Sequence, residues 1–455
     1  MAAVAIGISG VEQPALADVT ALNPLDPALN FNAFIEGDTV LAEHEMEGPL
    51  ATGGTLAIQG IYEINTQRNA DYIDGDDAEP SALVVGGSMD WNNSTSDGIV
   101  PVLSEGYMKF GDLTGSDVLN TDQNDAPVNT QLVRAGEEYN STPRVALTVQ
   151  QPIESVHSSP IDFASAFAQM RGYSEDLAVC ANTVTMLDSR DGGSPVAKGE
   201  VQPGQQIFVT LTEGQTNVLN VTGEDLNNIS DLTFVNKPSA DTPILINVDT
   251  SGTGGVFNWD VANQAGLGGE DAPYILWNFN DTVELTLTPG GSTVEGSIFA
   301  PDAYFTDISE GNIEGQIVAA DAVLGTTEYD SLELHYYPFA AELTCETDVD
   351  PSPTGTTEVP TTDAPTTDAP TTDIPTTDAP TTDTPTSEAP SPEVPSSEVP
   401  SSEVPSSETP ASPDKPGGML PTTGTSLLPL GAVAALLFVS GTAALVLTKR
   451  RRRVQ

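Results

Sequence analysis

Few residues in this chain of 455 are equipped for chemistry, and they are scattered: two cysteines, Cys180 and Cys345, and three histidines, His44, His157 and His335. A hydrolytic nucleophile needs a base within hydrogen-bond reach, yet no histidine accompanies a Gly-x-Ser-x-Gly turn or a comparable motif. The chain therefore reads as a non-enzyme. His335 is expected to pack or cap, and His44, inside the acidic run 43–47, to be solvated. The cysteines lack metal-type spacing. In an oxidising compartment they are expected to join as a Cys180–Cys345 disulfide, with two buried thiols as the alternative. Acids are abundant. Asp71, Asp74, Asp76 and Asp77, with Glu79, share a glycine-containing loop, and Asp122, Asn124 and Asp125 share another. Oxygens at alternate positions suit calcium, so the first four are calcium candidates. Asp74-Gly75-Asp76-Asp77 lacks the downstream bidentate glutamate of an EF-hand, however, and solvated acidic loops are the main expectation. No other cofactor is expected.

The second chemically informative stretch is the C-terminus. Leu420-Pro421-Thr422-Thr423-Gly424 precedes an uncharged apolar run, 427–448, and then Lys449 and four arginines. At about 1.5 Å per residue the run makes a helix of roughly 33 Å, the thickness of a bilayer's hydrocarbon core. The basic cluster holds its own end in the cytoplasm, which places everything upstream outside. Leu-Pro-x-Thr-Gly, apolar span and basic tail in that order resemble the sorting signal of Gram-positive surface proteins. The resemblance implies that a sortase cleaves between Thr423 and Gly424 and joins Thr423 to peptidoglycan, so that the transmembrane helix is transient. An ordinary tail anchor is the alternative.

Charge narrows the partners. There are 66 acidic against 14 basic residues, a net charge of -52. A surface of that sign repels nucleic acid and anionic lipid, leaving cations, basic proteins and neutral glycans. At the N-terminus, residues 1–17 read as a signal peptide ending in Ala15-Leu16-Ala17. No basic residue precedes its apolar run, so the true start of the signal lies open.

Residues 18–345 must supply the folded head. Short apolar and Thr-rich runs at 55–64, 83–85, 206–212, 217–221, 244–248, 283–288, 297–300 and 316–319 read as strands. Glycine pairs at 53–54, 86–87, 192–193, 254–255, 268–269 and 290–291 suit corners with positive φ. One helix interrupts them. After Ser159-Pro160, an N-cap and first turn, Phe163, Phe167 and Met170 fall at helical spacing, with an end at Gly172 and a second short helix from Ser174. Those aromatics read as core packing.

Several blocks then resemble one family. Leu29-Asn30-Phe31-Asn32-Ala33-Phe34 leads to Glu36-Gly37-Asp38, and Glu47-Gly48-Pro49-Leu50-Ala51-Thr52-Gly53-Gly54 and Leu83-Val84-Val85-Gly86-Gly87 follow. Tyr274-Ile275-Leu276-Trp277-Asn278-Phe279, Gly296-Ser297-Ile298-Phe299-Ala300-Pro301 and 311–319 come later, and Glu333-Leu334-His335 and Pro338-Phe339 close the series. In this order they are similar to choice-of-anchor A domains, which implies an adhesive surface domain with no catalytic residues. Gly-x-Ile-x-Ala-Pro and Gly-x-Ile-x-Gly-x-Ile-Val-Ala set alternating apolar residues on short strands. The expected fold is mainly β: a solenoid similar to ice-binding-type domains, with a packed helix on one side, a β-sandwich being the alternative.

Residues 346–419 read as a disordered stalk. Eleven five-residue units at 356–410 each carry an acid and end in proline, with too few apolar residues for a core. In polyproline II form, at about 3.1 Å per residue, they extend on the order of 170 Å. Head, stalk and sorting signal (420–455) together predict a cell-wall-anchored adhesin binding an extracellular protein or glycan. A shielding surface component without a receptor and an anchored glycan-active enzyme are the competing readings.

Overall fold

The computed structural model describes residues 21–346, apart from residue 68 and residues 329–332. The expected signal peptide, nearly all of the stalk and the whole sorting signal, Thr423 included, lie outside those residues. Among the described residues no helix is long and apolar enough to cross a membrane.

The head is a parallel β-solenoid with three faces, as the glycine-punctuated strands predict, and not a sandwich. Its longest ladder runs Asn217–Thr222, Ile244–Asp249, Ile275–Asn278, Ser297–Asp307, Ile317–Leu324, Ala33–Ile35, Leu50–Thr52, Ser81–Val85 and Tyr107–Phe110. Every pairing along it is parallel. Sequence order and spatial order differ. The chain enters mid-stack, where Ala33–Ile35 pairs with Ile317–Ala319, and coils outward to Tyr107–Phe110. It then returns to the far end and coils inward from Asn217–Thr222.

The helix Phe163–Ala178, hereafter α1, makes much of that return. Nine rungs at about 4.8 Å span roughly 38 Å. The 16 residues of α1 cover about 24 Å of this. Asp162 caps its first turn by accepting from Ser165 N. Its buried side, Phe163, Phe167, Met170, Ser174 and Leu177, keeps a helical spacing straight through Gly172. The expected break at Gly172 is therefore absent. That glycine has no neighbour within 4 Å and costs about 1 kcal/mol relative to alanine, less than the apolar anchors on both sides return.

Two kinds of glycine shape the corners. Gly192, Gly254, Gly255 and Gly290 have the expected positive φ. Gly53, Gly86 and Gly111 do not, and the reason for glycine there is proximity. A Cβ on Gly53 would lie 2.2 Å from Glu36 O, one on Gly86 2.7 Å from Gly53 O, and one on Gly111 2.0 Å from Gly86 O. Successive rungs touch backbone to backbone at this corner.

Inside the coil, Ile246, Trp277, Ile298, Ile317, Ala33 and Leu50 belong to one continuous apolar core. Outside it, Leu245, Leu276, Phe299, Val318, Phe34 and Val84 are buried against α1 and the segments beside it. The C-terminal strand Glu333–His335 slots between Ile313–Glu314 and His44–Met46, so one rung is assembled from both ends of the head. Leu22 pairs with Leu343, and Thr344 N donates to Thr216 Oγ1 beside the outermost strand. Cys180, two residues past α1, is bonded to Cys345 across a separation of 165 residues. Because that bond closes a long loop in the unfolded chain, the double variant Cys180→Ser/Cys345→Ser is expected to lose about 3 kcal/mol in urea unfolding.

Candidate binding face

The three faces differ in what they leave open. The first is closed by α1, and its outward polar column shows how. Asn220, Asn247 and Asn278 stand in register on neighbouring rungs. Asn278 Nδ2 donates to Asn247 Oδ1 at 2.9 Å, and Asn247 Nδ2 to Asn220 Oδ1 at 3.0 Å. The same amides donate to the carbonyls of Ser174, Leu177 and Cys180, docking the C-terminal end of the helix on the column. Arg171 pins α1 to the next corner through Glu36, Asp302 and the Pro301 carbonyl.

The second face carries a ladder of acids. Glu333, Glu45 and Glu63 align on consecutive rungs, as do Glu295, Glu314 and His335. His335 Nδ1 lies 2.8 Å from Glu314 Oε1 and its Nε2 2.8 Å from Glu333 Oε2. Hydrogen bonding to Glu314, reinforced by Glu333, pushes its pKa up to about 9 despite its burial. His335 is thus the cation of the ladder rather than only a packed residue. Glu295 is pushed up to about 7, first by burial and then by Glu314, Asp271 and Glu270. Burial, then Glu333, Glu63 and Glu47, raise Glu45 as well. His44, expected in water, is half-buried with Nε2 3.2 Å from the Thr326 carbonyl.

The third face is flat and open. Val256–Trp259, Glu284–Leu287, the second halves of Ser297–Asp307 and Ile317–Leu324, and Thr39–Leu41 pair in parallel register. Period-two alternation turns Phe257, Leu285, Phe305 and Ala322 inward and leaves two outward columns. One column reads Val256, Glu284, Tyr304, Asp321; the other reads Asn258, Thr286, Thr306, Val323, Val40. Val256, Val283 and Tyr304 are 41%, 51% and 46% exposed. At the upper edge, beside Val256 and Asn258, a cavity of about 550 Å³ is lined by Glu224, Asn227, Asp249, Thr250 and Ser251 among others. Sequence reasoning read 283–288 as a strand without assigning its outward residues. The alternation of Leu285 and Leu287 with Glu284 and Thr286 was the usable signal.

Three of the four calcium candidates have protein partners. Asp71 accepts from Asn30 Nδ2 at 3.1 Å, Asp74 and Asp77 pair with Lys109, and Asp76 is exposed. Asp122 accepts the N–H groups of Asn124 and Ala126, which lower its pKa. Among the described residues, no group of three or more His, Cys, Asp or Glu side chains is placed to hold a metal ion.

A flat parallel face on a three-sided coil, with a helix closing another side, agrees with the sequence comparison. Residues 24–331 match the family model described as "Putative Ice-binding-like adhesive domain". The chain belongs to this family. It is thus a surface protein of adhesive type, and its head works outside the cell. No curated protein matches the chain. Among solved structures, a glycosylated ice-binding protein (LeIBP) from an Arctic yeast aligns at 13% identity over 70% of this chain and 93% of that one, with a TM-score of 0.27. An ice-binding protein from an Antarctic biological consortium aligns at 10% identity over 75% and 97%, with a TM-score of 0.25.

Proposed function

We propose that the chain is a cell-wall-anchored adhesin of choice-of-anchor A type whose flat face grips an extracellular ligand. Sortase transfer of Thr423 to peptidoglycan fixes the chain, and the proline-rich stalk holds the head away from the wall. The work is binding, not turnover, and the ligand is a protein or glycan on a host or neighbouring cell. The observation that carries this reading is the open face itself. A rigid row of Thr286, Thr306, Val323 and Val40, flanked by exposed Tyr304, Val256 and Val283, offers apolar contact with hydroxyls at a fixed spacing. Membership of an adhesive-domain family supports it. The cavity at the edge of the face adds hydroxyl, amide and carboxylate groups beside the apolar Val256 and Phe257, a mixture suited to a sugar. The net charge of -52 favours a second reading, a shield that binds nothing in particular.

Protein and glycan arrays probed with the secreted protein separate the two. A specific ligand is expected, with binding falling about tenfold or more in Tyr304→Ser/Val283→Ser while the melting temperature stays put. Uniform background would favour the shield, and unchanged binding by the variant would move the contact to another face. Released sugar would instead speak for an enzyme. Recovery of Thr423 joined to peptidoglycan tests the anchor separately.

A further inference from the structure

Lys109 ends the outward column of the covered face that begins with Asn220, Asn247 and Asn278 and continues through Phe299, Val318, Phe34, Ala51 and Val84. It is 1% exposed. Its Nζ donates to the Ser155 carbonyl at 2.7 Å, lies 3.3 Å from Asp74 Oδ2 and is in contact with Asp77 Oδ2. That Asp77 oxygen is buried, and its contact with the amine lacks hydrogen-bond geometry. Asp74 Oδ2 also accepts from Ser158 Oγ at 2.6 Å. One amine thus faces two carboxylates where water is scarce. Holding them as ions there is costly, because desolvation takes several kcal/mol per charge. An amide between them is neutral and keeps one N–H for the Ser155 carbonyl. Fixed contact also replaces a bimolecular encounter, worth an effective concentration on the order of 10⁵ M or more.

We propose that Lys109 and Asp77 become joined by an amide bond from Nζ to Cγ, with Asp74 carrying the proton. The ammonium first passes a proton to Asp77, giving an amine and a carboxylic acid. The Nζ lone pair attacks Cγ, and the Nζ–Cγ bond forms. Asp74 takes one proton from Nζ and delivers it to the departing hydroxyl. The Cγ–O bond breaks, one water leaves, and nothing is oxidised or reduced. The product staples the loop preceding Ser81–Val85 to Tyr107–Phe110, at the end of the coil where the ladder stops. This inference stands whatever the head binds.

Mass spectrometry of the full chain, reduced and denatured, tests it. The expected protein is lighter than its sequence by one water, resists trypsin at Lys109, and yields a branched peptide joining the segments that contain Lys109 and Asp77. Asp77→Ala is expected to restore the full mass. Asp77→Asn, which keeps the shape of the site, is expected to lose one ammonia instead. Asp74→Asn is expected to fold with the link absent or greatly reduced. A wild-type chain of full mass, cut normally at Lys109, would mean an ion pair only and would overturn the proposal.

Discussion

At pH 8 the Asp307→Asn protein is expected to be about 3–4 kcal/mol more stable than its parent, and near pH 4 the two are expected to coincide. Asp307 occupies a column shared with Trp259, Leu287, Leu324 and Leu41, whose other members are apolar core. It is 2% exposed, and its partners are the N–H and Oγ of Ser309, 3.1 and 2.9 Å from Oδ1. Burial outweighs those hydrogen bonds and pushes its pKa up to about 7. The folded state therefore binds a proton that the unfolded chain, with a pKa of about 3.9, has already released. Stability is fully present below about pH 4 and is lost as pH rises through 7. Three units at about 1.36 kcal/mol each amount to about 4 kcal/mol. Asparagine keeps the acceptor for Ser309 and cannot ionise. Urea unfolding of both proteins at each pH decides the matter, because other titrating groups cancel in the difference. An equal gap at pH 4 and pH 8 would remove the argument.

Phe167→Ala is expected to cost about 3–5 kcal/mol. The ring is fully buried, lies parallel to Phe34 at 5.6 Å between centroids, and has the Arg171 guanidinium 5.5 Å from its centre. Its loss removes the anchor in the middle of α1 and opens a space between helix and coil that rigid strands cannot fill. An exposed position on the same helix, Gln169→Ala, is expected to change stability by less than about 0.5 kcal/mol. A loss below about 1 kcal/mol for Phe167→Ala in denaturant unfolding would show that α1 is a loosely applied cover.

Periodicity made much of this head readable. Gly296-Ser297-Ile298-Phe299-Ala300 and the block that follows announce short strands with glycine corners, and the strands stack as that pattern implies. Phe163, Phe167 and Met170 announce a packed helix. The order of rungs was not readable, because no local feature of Ala33–Ile35 says that its neighbour lies almost three hundred residues downstream. Gly172 misled because propensity is local while the anchors holding α1 together are not. The acids at 71–77 were read mainly as solvated, since the sequence does not reveal that a lysine from another strand reaches two of them. The outward residues of the flat face could have been read from alternation, but alternation does not say which of three sides a helix will cover.

The Cys180–Cys345 bond has a mechanical consequence. Thr344 and Glu346 lie against Thr216 and Ala181 beside Asn217–Thr222, the outermost rung, and the bond ties that exit to α1, so a pull applied at residue 346 cannot simply peel the last residues away. Through the Cys180–Cys345 bond the same pull passes straight into the end of α1 as well as into the chain that precedes Cys345. Loosening that end then means lifting α1 from the coil together with the outermost strand, which loads many contacts at once.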